Sequence, residues 1–307
     1  MTTKIGTRGS VLALAQAQEV LAGLKAAHRS SRQQFEVCII KTSGDRIQDR
    51  PLAEAGGKGL FTKEIEEALL TGEIDLAVHS MKDMPTILPV GLAIACYLPR
   101  ADVRDAFISP KAASLTQLPA AAVVGTSSLR RQAQVKRLRP DLQVVPLRGN
   151  VDTRLRKLEE GAVDATLLAC AGLARLGLSS RITQPVSVDD MLPAVAQGAI
   201  GVEVRADDDS TARLLAPINH AQTALAVAVE RAFLARLDGS CKTPIAGLAQ
   251  LVAPDRLVFR GQILSPDGRR CHATRREGRP EAAIAMAEDA AAELIALAGP
   301  DFFRMLS

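Results

Sequence analysis

Apolar and polar residues alternate along the first two-thirds of this chain in two rhythms, and the switches between them mark strands and helices. Residues 4–7 read as a short strand. Ser10 then stands where a helix cap belongs, and Val11, Leu14, Ala17, Gln18, Leu21 and Leu24 follow at helical spacing with one polar exception. Residues 35–41 predict a strand, 60–70 an amphipathic helix and 74–78 another strand. The polar stretch 42–59 between them ends in three glycines within four residues, which predicts a mobile loop. A second alternating unit covers about 105–191, with strands at 122–125, 143–147 and 165–169. This rhythm predicts mostly parallel sheets covered by helices.

Residues 200–205 predict a strand that returns to the first domain. An Ala/Val-rich helix follows over 220–237, then strands at 245–252, 257–264 and 271–275, and a last helix at 281–297. Pro254-Asp255 and Pro266-Asp267-Gly268 mark the turns between those strands. The expected fold class is α/β, with two α/β domains and a small α+β C-terminal domain. The expected boundaries are 1–99 with 199–217 for domain 1, 103–193 for domain 2 and 220–307 for domain 3.

Composition narrows the function classes. The chain has 307 residues, of which 47% are hydrophobic and 23% charged, as in ordinary globular proteins. Its N-terminus enters a strand directly and lacks the apolar run of a secretory signal, so a cytoplasmic location is expected. Every apolar stretch meets a charge before about 18 residues, which excludes a membrane span. Cys38, Cys96, Cys170, Cys241 and Cys271 are odd in number and widely spaced, unlike a disulfide framework or a CxxC metal site. The four histidines form no ligand motif, so no metal is expected. Lys58 follows two glycines, but GxxxxGK[ST] fails at both ends and nucleotide hydrolysis is unsupported.

Charge is uneven. Between Thr126 and Arg181, nine arginines and two lysines face five acidic residues, an excess larger than the +4 of the whole chain. Solvated helix faces would explain scattered charge, and nucleic acid is a second reading. With no Trp and one Tyr the chain has few platforms for stacking bases, so a small polyanion fits better. Four polar loops follow predicted strands: Gly6-Thr7-Arg8-Gly9-Ser10, Ser80-Met81-Lys82-Asp83, Gly125-Thr126-Ser127-Ser128-Leu129-Arg130-Arg131, and Arg148-Gly149-Asn150 with Arg154 beyond it. Hydroxyls and backbone N–H groups at a helix start, reinforced by arginine, make an anion site, although each loop alone is also plain helix capping.

Cys241, in Gly239-Ser240-Cys241-Lys242, reads as an accessible thiol whose anion has a cation beside it. A small buried hydrophobe is the competing reading of the same residue. The chain also resembles a known family. Gly56-Gly57-Lys58-Gly59-Leu60-Phe61, Val78-His79-Ser80-Met81-Lys82-Asp83, Val124-Gly125-Thr126-Ser127-Ser128-Leu129-Arg130-Arg131, Leu147-Arg148-Gly149-Asn150, Ala171-Gly172-Leu173-Ala174-Arg175-Leu176-Gly177 and Gly239-Ser240-Cys241 are similar, in order and spacing, to the porphobilinogen deaminase (hydroxymethylbilane synthase) family. The likeness covers essentially the whole chain.

That resemblance implies two domains of the type II periplasmic-binding-protein kind and a third that carries a dipyrromethane cofactor as a thioether on Cys241. It implies a transferase that condenses four porphobilinogens head to tail, releases ammonia each time and frees hydroxymethylbilane by hydrolysis, for tetrapyrrole and heme biosynthesis. A monomer without nucleic-acid or membrane partners is expected. Lys82, Ser80, Thr126, Ser128, Arg130 and Arg131 match cofactor-binding positions. Arg8, Ser10, Ser127, Arg148, Gly149, Asn150, Arg154, Arg175, Gln197, Lys58 and Phe61 match substrate positions.

Such cations make physical sense, because each added pyrrole brings an acetate and a propionate whose crowding in a cleft needs fixed positive charge. Asp83 matches the catalytic carboxylate. Losing ammonia leaves a cationic azafulvene, which a fixed carboxylate near the pyrrole N–H stabilises. From the residues alone, Asp83 reads better as a cap before Pro85, a reading that the ordered motifs displace, and His79 reads as a packing or hydrogen-bonding residue. The stretch 42–58 is expected to act as a lid, with Lys58 and Phe61 at its closing edge. Ala196 stands where many relatives have glycine, a departure that bears on the backbone there. The competing function class is a non-catalytic anion-binding protein on the same two-lobed scaffold.

Overall fold

The computed structural model describes residues 2–46, 62–237 and 243–304. In chain order the elements begin β1 (Thr2–Arg8), α1 (Val11–Ala27), β2 (Gln34–Ile40), α2 (Ser43–Arg46), α3 (Lys63–Leu70), β3 (Leu76–Ser80) and β4 (Leu92–Tyr97). They continue with β5 (Asp105–Ile108), β6 (Val123–Gly125), α4 (Leu129–Leu138), β7 (Gln143–Val145), α5 (Val151–Glu159), β8 (Ala165–Ala169), α6 (Cys170–Arg175) and β9 (Gln184–Pro185). The last are β10 (Ile200–Arg205), α7 (Asp209–Leu215), α8 (Ala221–Arg236), β11 (Ile245–Ala253), β12 (Arg256–Leu264), β13 (Cys271–Gly278), α9 (Ala283–Ala298) and α10 (Pro300–Arg304).

The chain divides into two compact units, 1–101 with 198–225 and 102–197 with 226–307. The first holds a five-stranded sheet of order β2-β1-β3-β10-β4. The second holds a five-stranded sheet, β7-β6-β8-β5-β9, and the three-stranded β11-β12-β13. Two α/β layers and a small α+β C-terminal part are therefore present, and β10 returns to the first sheet as expected.

The sheets are mixed rather than mostly parallel. β1 runs parallel to β2 and β3, while β10 is antiparallel to β3 and β4. In the second sheet β6 runs parallel to β7 and β8, while β5 is antiparallel to β8 and β9. Only strands joined by a helical crossover are held parallel, and β10 and β5 reach their neighbours without one. The short α2 also stands within a stretch expected to be loop.

In the first unit α1 buries Ala17, Val20, Leu21 and Leu24 on one sheet face, against Leu76, Val78, Val202 and Val204. On the other face α3 packs Ile65, Ala68 and Leu69 against Ile74 and Ala77. Strands covered on both faces read as continuous apolar runs, which accounts for the sequence pattern. Gly201 of β10 lies opposite His79. A Cβ there would overlap the Met81 sulfur. Met81 opens the turn that carries Lys82 and Asp83. Gly201→Ala is therefore expected to cost about 1–3 kcal/mol by overpacking, measured as a lower midpoint in urea unfolding with an unchanged m-value.

In the C-terminal part, Phe233 of α8 meets Phe259 of β12 edge-on, with ring centres 4.9 Å apart. α9 buries the stripe Ala283, Ala287, Ala290, Ala291 and Leu294. Gln134 of α4 ties this part to the second sheet: its Oε1 accepts from Leu192 N–H and from Gln262 Nε2, each at 2.7 Å. Glu230 of α8, fully buried, accepts from Ala196 N–H at 2.6 Å and from Ala249 N–H at 2.8 Å. Ala196 itself has a φ of 60°, a left-handed conformation that glycine adopts without strain, so the residue is an unfavourable one for its backbone.

Candidate active site

In the first unit, β1 and β3 are parallel neighbours and both end at one edge of the sheet. Their polar loops meet there around a cavity of about 70 Å³ lined by Arg8, Ser10, Gln16, His79, Ser80 and Asp83. Asp83 is exposed, and it is the one carboxylate lining this cavity among the described residues. Ser10 caps α1, its Oγ accepting from Ala13 N–H at 3.3 Å. A hydroxyl that caps by accepting still has its own O–H to give to an anion. Ser80 and the Gln16 amide exchange hydrogen bonds at 2.7 and 3.1 Å. Lys82 is half-buried in the turn between Ser80 and Asp83.

In the second unit the 126–131 loop follows β6 and opens α4. Thr126 Oγ1 accepts from Ser128 N–H at 3.2 Å, and Ser128 Oγ caps the helix by accepting from Arg131 N–H at 3.4 Å. Ser127 differs, because its hydroxyl donates to the Leu147 carbonyl at 3.0 Å and so has only lone pairs left. Asn150 caps α5, accepting from Thr153 N–H at 2.9 Å, after Gly149 at a φ of 116°. Arg154 Nε donates to the Gly149 carbonyl at 2.8 Å, and Arg148 and Arg175 are half-buried.

Arg130 and Arg131 have a partner that the sequence did not disclose. Asp105 of β5 is fully buried, with its Oδ2 2.8 Å from Arg130 Nη1 and its Oδ1 2.7 Å from Arg131 Nη2. Burial alone would raise the Asp105 carboxyl, but the two guanidinium charges overcome it and hold the acid well below the usual carboxylate range. Arg131 also donates through Nη1 to the Leu167 carbonyl and through Nε to Asp105, so its fork is consumed inside the fold. Arg130 donates to the Leu192 carbonyl, yet its Nε is buried without a hydrogen-bond partner among the described residues. Gln197 Nε2 completes the cluster, donating to the Val103 carbonyl at 2.7 Å and to Asp105 Oδ1 at 3.0 Å. Gln197 thus supports the arginine pair. The available signal was an aspartate opening the apolar run Asp105-Ala106-Phe107-Ile108.

Cys241, Lys58 and Phe61 lie outside the described residues, as does the stretch 47–58 of the expected lid. The four described thiols are poor candidates for covalent chemistry. Burial pushes Cys96 up to about 12 and Cys170 up to about 11, and raises Cys38 and Cys271 as well, so none favours the thiolate. Among the described residues no group of three or more His, Cys, Asp or Glu is placed to hold a metal ion, and no helix is long and apolar enough to cross a membrane.

Hydroxyl donors at a helix start, an orphaned guanidinium N–H and half-buried arginines define an α/β protein equipped to hold a polyanion. That donor set suits the acidic arms of a dipyrromethane, each pyrrole of which brings two carboxylates. The chain belongs to the porphobilinogen deaminase family. Residues 3–213 match the family model "Porphobilinogen deaminase, dipyromethane cofactor binding domain", and residues 224–296 match "Porphobilinogen deaminase, C-terminal domain". The chain is 61% identical over 300 residues to the porphobilinogen deaminase of Paracoccus denitrificans, covering 98% of this chain and 96% of that protein. It is 58% identical to that of Nitrobacter hamburgensis, covering 99% of this chain and 96% of the relative. The chloroplastic enzyme of Pisum sativum is 55% identical, with 98% and 83% covered. A TRAP periplasmic solute binding protein from Desulfovibrio salexigens has 9% identity and a TM-score of 0.45, covering 73% of each chain. That likeness is of fold only and too distant to bear on chemistry.

Proposed function

We propose that this chain condenses four porphobilinogens head to tail, with loss of ammonia at each addition, and frees hydroxymethylbilane by hydrolysis. Family membership over nearly the full chain is the observation that carries this reading. The dipyrromethane, when bound, supplies the first pyrrole carbon onto which substrate is joined. Cys241 is its attachment point, supported by the raised titration of all four described thiols. Thr126, Ser128 and the orphaned Arg130 Nε hold its acidic arms, with Ser80 and Lys82 assisting, while Arg131 acts by holding Asp105.

Asp83 stabilises the positive charge that develops as ammonia leaves the substrate, because a fixed carboxylate opposes charge that appears only in the transition state. Arg8, Ser10, Arg148, Arg154 and Arg175 take the acetate and propionate arms of successive substrates, with Gly149 and Asn150 shaping the loop. Lys58 and Phe61 belong to the same substrate set, and Ser127 serves it by holding its loop through the bond to the Leu147 carbonyl. Gln197 acts on substrate through the arginine cluster. The protein works as a cytoplasmic monomer in three domains, at 1–99 with 199–217, 103–193 and 220–307.

Intact-mass measurement tests this reading. Purified chain is expected to be heavier than the bare polypeptide by two linked pyrroles, and to gain one to four further pyrrole units with porphobilinogen. Cys241→Ser is expected to remove the first increment. A bare polypeptide in active wild-type material would refute the covalent reading, and loss of the increment on Cys271→Ser instead would show that another thiol carries it.

A further inference from the structure

Behind the cavity that holds Asp83 lies a charged cluster with no part in the chemistry proposed above. Strand alternation puts Gly201 and Glu203 of β10 on the sheet face covered by α3, where Gly201 pairs with His79 and Glu203 with Ala77. His79 and Glu203 are therefore diagonal neighbours on one face. His79 Nε2–H donates to Glu203 Oε2 at 2.9 Å, with the imidazole 5% exposed and the carboxylate 0%. Glu66, on the first turn of α3, adds a second carboxylate to the cluster. Its acid is raised, first by burial and then by Glu203, with Thr62 and His79 pulling the other way. Glu203 Oε1 and Glu66 Oε1 are buried with no hydrogen-bond partner among the described residues. His79 and Thr62 also line the cavity beside Asp83 and Arg8.

Apolar side chains would hold this layer at lower cost than two carboxylates and an imidazole. Buried ionisable groups that open onto a cavity instead mark proton chemistry. Because a carboxylate only accepts, Glu203 fixes the proton on Nε2 and leaves Nδ1 as the lone-pair nitrogen of a residue that lines the cavity. We propose that His79, oriented by Glu203 and backed by Glu66, is the base that takes the proton expelled when each new carbon–carbon bond forms, and returns it to the departing ammonia. This rests on the reading of the Asp83 cavity as the place of reaction.

The atoms balance. The substrate's aminomethyl group enters as an ammonium, and its C–N bond breaks with both electrons going to neutral ammonia. The cationic carbon left behind accepts an electron pair from the α-carbon of the accepting pyrrole, in later rounds a previously added substrate. Recovery of aromaticity expels that α-proton to His79 Nδ1, and ammonia then takes it and leaves as ammonium. One C–N and one C–H bond break, one C–C and one N–H bond form, and nothing is oxidised.

Among the described residues, the charged and titratable groups around His79 are Glu203 from β10 and Glu66 from α3, with Arg8 of β1 and Asp83 of the turn after β3 lining the same cavity and Lys82 beside Asp83 in sequence. Cys96 of β4 belongs to the core on the opposite sheet face and, at about 12, stays neutral. Arg205 is held by Asp208, and Glu64 accepts from Ser43. A base must be neutral to accept, so kcat falls as acid protonates it. Removing the negative charge of Glu203 favours the neutral ring, which moves the acid limb to lower pH and weakens the base.

The experiment uses cofactor-loaded protein, checked by intact mass, with single-turnover elongation followed from pH 5 to 9. His79→Asn is expected to lower kcat about 100-fold with KM changed less than about twofold. Glu203→Gln is expected to lower the plateau about 10-fold and to move the acid limb down by about half a pH unit or more. Nitrogen NMR of histidine-labelled wild-type protein should show His79 protonated at Nε2, and Glu203→Gln should mix the tautomers. Wild-type kcat and pH profile in His79→Asn, or protonation at Nδ1 in the wild type, would overturn the proposal. If His79→Asn does not fold, the near-isosteric Glu203→Gln decides, and an unmoved acid limb overturns it. Asp83→Ala is measured in parallel: activity there refutes the reading of the cavity, whereas its loss beside an unaffected His79→Asn refutes the relay alone.

Discussion

Asp83→Ala is expected to keep the fold and lose turnover by about 100- to 1000-fold, the size of effect seen when one preorganised electrostatic partner is removed from a developing charge. The two halves of this expectation have separate physical causes. Asp83 is exposed and sits in a three-residue turn, so its removal takes nothing out of the buried core. A surface change of that kind stays within about 0.5 kcal/mol of wild type. The rate effect arises because the carboxylate's attraction appears only once positive charge develops on the substrate, which lowers kcat and kcat/KM together. Asp83→Asn keeps shape and removes charge, so it is expected to lose nearly as much. Rates measured by substrate consumption, with thermal midpoints alongside, check both halves. A variant turning over at more than about a tenth of the wild-type rate would remove Asp83 from the catalytic role.

Asp105→Ala is expected to act the opposite way, through stability. It leaves Arg130 and Arg131 facing each other in a site where their side chains are 6% and 7% exposed. Breaking a buried ion pair from one side costs about 3–5 kcal/mol, because the remaining charges stay buried without compensation. Gln197 loses an acceptor at the same time. The loop that opens α4 is then expected to shift, reducing cofactor retention as well as the unfolding midpoint.

The pH dependence has a definite sign. The folded Asp105 carboxyl lies below its unfolded value of about 3.9, so its stabilisation is fully present above that pH and declines as the solution is acidified below it. Stability of the wild type should fall on going below about pH 4, and Asp105→Asn should be less stable at neutral pH but lose less on acidification. Urea denaturation across pH 3–7 checks this, and equal slopes for the two proteins would refute it.

Much of the site was legible before any coordinates. Ser10, Ser128 and Asn150 fall at helix starts because side-chain caps are local: the acceptor and the N–H it serves lie three residues apart. Strands 165–169 and 200–205 were likewise bounded correctly, since covered strands read as short apolar runs. Strands β4 and β5 went unpredicted. β5 has four residues and opens on a buried aspartate, which weakens its apolar signal.

Charge pairing was the larger omission. Arg130 and Arg131 read as open anion binders, yet their carboxylate partner stands 25 residues before Arg130, on β5 rather than on their own helix. His79 read as a packing residue, and its partner Glu203 is separated from it by 124 positions. A sequence shows which groups are charged, but a pair's geometry depends on which strands become neighbours.

The local rules of this chain, its caps, strand alternation, apolar helix stripes and ordered family motifs, follow from interactions spanning a few residues and need no coordinates. Which arginine stays available to a ligand, which is consumed inside the fold, and which carboxylates lie behind the Asp83 cavity were settled by how distant strands align. The reason is that burial and Coulomb energy depend on three-dimensional distance, and folding alone determines that distance for groups far apart in the chain.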